Sequence, residues 1–224
     1  MTKRNLIGIF GLGVFGRAIA KSLEESDIDV IAVDRDDLLV NDFSQDVFEA
    51  VIGDFTDRQF LEDIGIADCQ AVVVATGSNL EASSLAVLHL ASIGIPKIIC
   101  KAGSNSYAQI LKAVGATDII MPERESGRRL AKSLIQDNIS NVLDLDEETS
   151  IIDFYAPPQW NGNLLSDMDI RNQYQLNIIG YRNSKHGPIH TDIHAQTRIT
   201  EGQILVAIAP NKIINQHDFL THIK

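Results

Sequence analysis

Cysteine is scarce: Cys69 and Cys100 are the only two in 224 residues. Two isolated thiols make no disulfide framework and fit a reducing compartment. Each reads as a small buried residue rather than a reactive one. Long apolar runs are also missing. The longest stretch without Asp, Glu, Lys or Arg, Ala82 to Pro96, contains His89 and several serines. A bilayer span needs roughly 20 apolar residues, so this stretch is too short. Met1–Asn5 leads straight into Leu6–Phe10 and then glycines, too early a break for a signal peptide. Positive charge is in deficit: 19 Lys and Arg stand against 30 Asp and Glu, a net charge of −11. That excess repels phosphate backbones and anionic lipid, so nucleic acid and membrane surfaces are poor partners for the chain as a whole. There is no internal repeat and no low-complexity tract. With 45% apolar residues the chain has ample material for a core.

What is there alternates. Leu6–Phe10, Val30–Val33, Val47–Ile52, Ala71–Ala75, Ile98–Cys100 and Ile119–Met121 read as strands. Between them, Ala18–Leu23, Asp57–Ile64, Leu80–Ile93, Tyr107–Val114 and Ser126–Gln136 carry helical spacing. Strands alternating with helices at this interval predict βαβ units and an α/β fold with a doubly wound parallel sheet. The pattern changes near residue 141. Asp144–Thr149 is acidic and reads as a surface connection. Ile151–Tyr155, Leu176–Tyr181 and Ile204–Ile208 then read as strands, Asn183–Pro188 as a turn cluster and Ile213–Ile223 as a terminal helix. Residues 1–140 therefore read as a Rossmann-like domain and 141–224 as a small α+β module.

Gly11-Leu12-Gly13-Val14-Phe15-Gly16 matches G-x-G-x-x-G, follows a predicted strand and opens a predicted helix. The first glycine permits the tight turn, the second lets a phosphate approach the backbone, and the third lets helix and strand pack closely. Asp34 ends the next strand, placed for both ribose hydroxyls and hostile to a 2′-phosphate. Arg35 works the other way, since an adjacent arginine can accept such a phosphate. Ligands in open α/β sheets sit beyond the carboxyl ends of the strands. Gly53-Asp54-Phe55-Thr56 and Ala75-Thr76-Gly77-Ser78-Asn79 occupy two more such ends. Asp54 can meet an adenine amino group, and Thr76 and Asn79 a phosphate or base. Helix capping is the rival reading for Asp54, Thr56 and Asn79.

Catalytic equipment is lacking. No nucleophile-elbow serine stands with a histidine and an acid, and no acid–base pair stands out for a nicotinamide. His186, His190 and His194 with Asp192 suggest a metal, but no recognised ligand spacing supports one, and the polar surface of a turn and strand is the favoured reading. The nearly all-apolar helix at Leu80–Ile93 reads as core or subunit contact.

With these residues in view the chain resembles the cytosolic regulatory subunits of bacterial Ktr/Trk potassium uptake systems. The supporting stretches are Ile9–Gly16, Ile31–Asp34, Ala75–Asn79, Lys101-Ala102, Val114–Ala116, Pro122-Glu123 before Gly127, and Ile151 through Asp169–Arg171 to Leu176–Ile179. The resemblance spans essentially the whole chain. It implies an N-terminal RCK (KTN) domain and a C-terminal RCK_C domain. It further implies a non-enzyme that binds ATP, ADP or NAD, dimerises, and assembles as an octameric ring beneath a membrane potassium-translocating subunit at the inner face of the cell membrane. Carried onto this chain, Gly11 to Gly16 hold phosphates and Asp34 the ribose, while Asp54, Phe55 and Thr76–Asn79 line the base and phosphates. Lys101 is a phosphate partner, and Glu123 helps hold a divalent cation. Val14 stands where the family usually has an arginine that reaches the terminal phosphate of ATP, which raises the standing of NAD. The resemblance also implies a cyclic di-AMP pocket framed by Leu164, Leu165, Asp167, Arg171, Asn177 and Ile178. The rivals are an NAD-dependent oxidoreductase of unknown substrate and an NAD-reading transcriptional repressor, the latter opposed by the −11 charge.

Overall fold

The computed structural model describes residues 5–135 and 138–214. They fall into two compact units, within residues 1–123 and 124–224.

The first unit is built on β1 (Leu6–Phe10), β2 (Asp29–Asp34), β3 (Glu49–Ile52), β4 (Ala71–Val74), β5 (Ile98–Lys101) and β6 (Asp118–Ile120). They form one sheet in the order β3-β2-β1-β4-β5-β6, and every neighbouring pair is parallel. This is the 3-2-1-4-5-6 order of a dinucleotide-binding Rossmann sheet, whose strand order reverses between β1 and β4. Parallel strands are buried on both faces and so read as unbroken apolar runs. Val72 and Val74 accordingly face one core with Phe10 and Val33, while Ile9, Ala32 and Val73 face the other. Helices α1 (Val14–Glu24) and α2 (Asp37–Phe43) close the second face through Ala20, Val40 and Phe43. Helices α3 (Arg58–Asp63), α4 (Leu80–Ile93) and α5 (Asn105–Ala113) close the first through Leu61, Leu90 and Leu111. Helix α2 has no counterpart in the sequence reading. Asp36 starts it, its carboxylate accepting the Leu38 and Leu39 N–H groups. Cys69 and Cys100 are buried, and burial pushes both thiols up to about 12.

Helix α6 (Pro122–Ile135) follows β6 and begins four residues before the predicted Ser126 start; Gln136 lies outside the described residues. The second unit holds a four-stranded antiparallel sheet of β7 (Ile139–Asp144), β8 (Thr149–Tyr155), β9 (Asn177–Arg182) and β10 (Ile204–Pro210), ordered β7-β8-β10-β9. The predicted acidic connection is thus the tip of the β7–β8 hairpin, since Asp144 pairs with Ser150. Trp160 is buried in this unit's core, edge-on to Phe154 and tilted against Tyr174 of α7 (Ile170–Tyr174). Helix α8 covers Asn211–Ile214, and the remainder of the predicted terminal helix lies outside the described residues. Among the described residues no helix is long and apolar enough to cross a membrane.

Candidate functional site

The turn between β1 and α1 lies at the carboxyl end of the sheet, where the strand order reverses. Gly11 has φ +97°, a left-handed conformation that penalises any Cβ. A Cβ on Gly16 would stand 1.9 Å from the Gly11 carbonyl oxygen, so helix and turn touch backbone to backbone there. A Cβ on Gly13 would meet nothing within 4 Å. The space over Gly13 is therefore open, and the adjoining α1 N-terminus presents N–H groups without intrahelical partners. These observations fit a bound phosphate.

Asp34 fixes the turn. The Leu12 N–H donates to Asp34 Oδ2 at 2.6 Å, and the Asp36 N–H donates to Oδ1 at 3.0 Å. A carboxylate offers about four acceptor positions, so each oxygen retains one for a ribose hydroxyl. The Leu12 side chain is itself fully buried, so this residue acts through its backbone.

The β2 and β3 ends bring Arg35 and Asp54 together, as the parallel register of Asp34 with Ile52 requires. Arg35 Nη2 donates to Asp54 Oδ1 at 2.6 Å, and the Thr56 N–H and hydroxyl donate to the same oxygen at 2.8 and 2.6 Å. Burial raises the Asp54 carboxyl, but the Arg35 and Thr56 hydrogen bonds outweigh it and hold the group below its ordinary range. Among the described residues Oδ2 accepts no hydrogen bond and stays available to an amino group. The pairing also draws Arg35 onto Asp54, leaving its charge already compensated. Helix α3 is capped by Asp57, whose carboxylate accepts the Gln59 and Phe60 N–H groups, so neither Asp54 nor Thr56 is needed for that purpose. Gly53 packs under the Phe60 ring. Phe55, expected beside the base, has its ring buried and stacked on Phe10 at 5.4 Å; its side chain belongs to the core.

At the β4 end Ala75 is buried, and the Thr76 carbonyl accepts the Ser83 hydroxyl at 3.3 Å. Asn79 caps α4, its Oδ1 accepting the Ala82 N–H at 3.0 Å. Gly77 lies against the aliphatic stem of Lys101, whose carbons would stand 3.3 Å from a Cβ there. Lys101 Nζ is 5.5 Å from the centre of the Phe15 ring and pairs with Glu123. The Lys101 bond holds the exposed Glu123 carboxyl below its ordinary range. Lys101 thus links the α1 turn, the β4 end and the start of α6. Glu123 supplies one carboxylate, already engaged, and the described residues contain no group of three or more His, Cys, Asp and Glu fit for a metal ion. This covers the histidine cluster: the His190 ring stacks on Tyr181, 4.9 Å between centroids.

Val14, at the mouth of the turn, is 84% exposed and gives no charge to a phosphate. In the second unit Arg171 donates to the Asn177 side-chain oxygen, so these two positions do meet. Leu165 and Ile178 pack against that unit's core, Leu164 bridges to Arg198, and Asp167 accepts the Ser166 hydroxyl at 2.8 Å. The sequence reading missed the Arg35–Asp54 pair and the seat of Lys101 on Phe15. The first was accessible from adjacent strand ends; the second needs the packing of α1.

Comparison with known proteins agrees with this geometry. Residues 7–122 match the family model of the TrkA-N domain. The chain is 36% identical over 194 residues to a Ktr system potassium uptake protein C of Bacillus subtilis, covering 85% of this chain and 88% of that one. It is 32% identical over 216 residues to a Ktr system potassium uptake protein A of the same organism, covering 96% of each. Among solved structures, the GsuK channel bound to NAD aligns with a TM-score of 0.67 at 18% identity, over 98% of this chain and 40% of that one. The GsuK RCK domain aligns with a TM-score of 0.67 at 20% identity, over 95% of this chain and 46% of that one. The turn, the strand order and these relatives together show that the chain belongs to the TrkA-N family, alongside the Ktr system potassium uptake proteins.

Proposed function

We propose that this chain is the nucleotide-binding regulatory subunit of a Ktr/Trk-type potassium uptake system, acting at the cytoplasmic face on a membrane potassium-translocating subunit. The observation that carries the reading is the Leu12–Asp34 bond, which ties the phosphate turn to the ribose carboxylate. ADP, ATP or NAD places its phosphates over Gly13, its ribose on Asp34 and its adenine amino group on Asp54 Oδ2. The compensated Arg35 is poorly suited to a 2′-phosphate, which favours NAD over NADP. The exposed Val14 favours NAD and ADP over a ligand whose terminal phosphate needs a cation there. Lys101 serves the phosphates directly, and a divalent cation would bind by displacing Lys101 from the Glu123 carboxylate.

Nucleotide acts as a signal. It shifts the population of two arrangements of a homo-oligomer, for which a dimer-based octameric ring is the expected form. The exposed Leu85 and Leu88 of α4 and Ile110 of α5 support a contact with a second copy. The Arg171–Asn177 contact supports a second ligand, cyclic di-AMP, in the C-terminal unit.

The test is the affinity of the purified chain for NADH, ADP and ATP, measured calorimetrically with Asp34→Asn and Asp34→Ala beside it. Loss of the charge-assisted bonds to ribose weakens binding at least about tenfold in both variants. Unaltered affinity removes the site. Sustained NADH oxidation with small carbonyl substrates would instead make the protein an oxidoreductase.

A further inference from the structure

A polar cavity lies in the C-terminal unit, lined by none of the residues assigned to the nucleotide. Its volume is about 390 Å³, and it is lined by Ser140, Asn141, Asp153, Arg182, Lys185 and His186. That size falls within the roughly 300–1,000 Å³ of small-molecule sites. Asp153 of β8 is its buried floor, 5% exposed. Asp153 pairs with Val206 of β10, and Val206 with Gly180 of β9. Arg182, two residues beyond Gly180, therefore shares a sheet face with Asp153 and reaches back over β10. Its Nε lies 3.2 Å from Asp153 Oδ2, close enough for an ion pair but not aligned for a hydrogen bond. The buried Nε–H is left without an acceptor, while Nη1 donates to the Gly187 carbonyl at 3.1 Å. The Asp153 carboxylate beside it supplies compensating charge, and Arg182 lines the cavity wall.

The rest of the rim adds cationic and polar groups. Lys185 and His186 come from the turn after β9, and neither has an ion pair or hydrogen bond among the described residues. Counting His186 as neutral, Arg182 and Lys185 outnumber Asp153, within a chain whose net charge is −11. Ser140 and Asn141 add polar groups. Such a concentration of donors suits a compact anion with several acceptor oxygens. The cavity takes the Arg182 end of β9, whereas Asn177 begins that strand, so this is not the place assigned to cyclic di-AMP.

We propose that this cavity binds a phosphate group, free or carried by a mononucleotide, through Arg182, Lys185 and His186. It would give the C-terminal unit an anion input separate from the nucleotide in the Rossmann crevice.

The test is lysine footprinting on the intact chain. Amine acetylation at Lys185 is followed by peptide mass spectrometry while inorganic phosphate, AMP or adenosine is titrated in, with exposed Lys97 as internal control. Two variants accompany it: His186→Ala on the surface turn, and Arg182→Lys, which keeps a cation facing Asp153 but removes the fork. Protection of Lys185 by phosphate supports a free anion. Protection by AMP without adenosine supports a nucleotide phosphate. In either case the half-protecting concentration rises about tenfold in both variants, and Lys97 stays unprotected. Equal protection by adenosine and AMP, no protection at millimolar phosphate and AMP, or the same titration in the variants would each overturn the proposal.

Discussion

Gly13 and Gly16 stand three residues apart and will answer alanine in opposite ways. A Cβ on Gly16 falls 1.9 Å from the carbonyl oxygen of Gly11, a residue whose N–H is bonded to the Val33 carbonyl, so the helix or the turn must move. Gly16→Ala will cost more than about 3 kcal/mol in urea unfolding, in the range of severe overpacking. Gly13 has φ −63°, which alanine adopts freely, and open space where its Cβ would go. Gly13→Ala will leave stability within about 0.5 kcal/mol and weaken nucleotide binding at least about tenfold, because the methyl occupies the phosphate's approach. Equal binding by Gly13→Ala and the parent would show that phosphate does not cross that surface. Arg35 gives a pH-dependent counterpart. It holds the Asp54 carboxyl low in the folded state, so its contribution is present above the unfolded aspartate pKa of about 3.9 and fades as pH falls through the lower folded value. Both side chains are about half exposed, which limits the effect to roughly 1 kcal/mol or less. Arg35→Ala will thus cost more stability at pH 7 than at a pH well below that of an unfolded aspartate; an equal loss at both would assign the effect to packing.

At the scale of the element, one side chain serves two readings. Asn79 caps α4, and Asn79→Ala will lower stability by about 1 kcal/mol with or without nucleotide. Should the loss of nucleotide affinity exceed that of a cap-preserving Asn79→Ser variant, Asn79 is also a ligand contact. The same duality explains what the sequence made legible. Strands β1, β2 and β4 are short apolar runs ended by Gly11, Asp34 and Thr76, and both their places in the chain and their ligand ends follow from periodicity and punctuation. Helix α2 was not legible because seven residues, Asp37–Phe43, are too few for a 3.6-residue period to stand out, and Asp36 is one acid among several. Strand β7 was hidden for a different reason. Its exposed positions Asn141, Leu143 and Asp144 face outward beside buried Ile139 and Val142, and a bulge between Ile139 and Asn141 breaks the two-residue alternation. Phe55, which the family resemblance places beside the base, stacks its ring on the buried Phe10, a partner that no local pattern announces. The residues that join distant segments, Lys101 with Phe15 and Arg182 with Asp153, depend on packing that no local pattern encodes.

For the whole molecule, the regulatory reading requires that ligand bound in the first unit be felt in the second. The chain provides its own reporter: Trp160 is the sole tryptophan, and it lies in the core of the C-terminal unit with Phe154 and Tyr174. Nucleotide at one hundred times its dissociation constant stabilises whatever unfolds together with the site by about 2.7 kcal/mol. Were the two units thermally independent, that stabilisation would appear in far-UV circular dichroism as a shift of the first unit alone, and tryptophan fluorescence would melt unchanged. A signal that passes between the units predicts otherwise: the Trp160 transition will rise with ADP or NADH, and the rise will vanish in Asp34→Ala. A fluorescence midpoint insensitive to nucleotide, in a chain that calorimetry shows to be saturated, would confine the ligand's effect to the Rossmann unit. The bound nucleotide would then be a structural fixture of that unit, and control of a potassium pathway would have to enter elsewhere, with the cationic cavity at Arg182 as the next place to look.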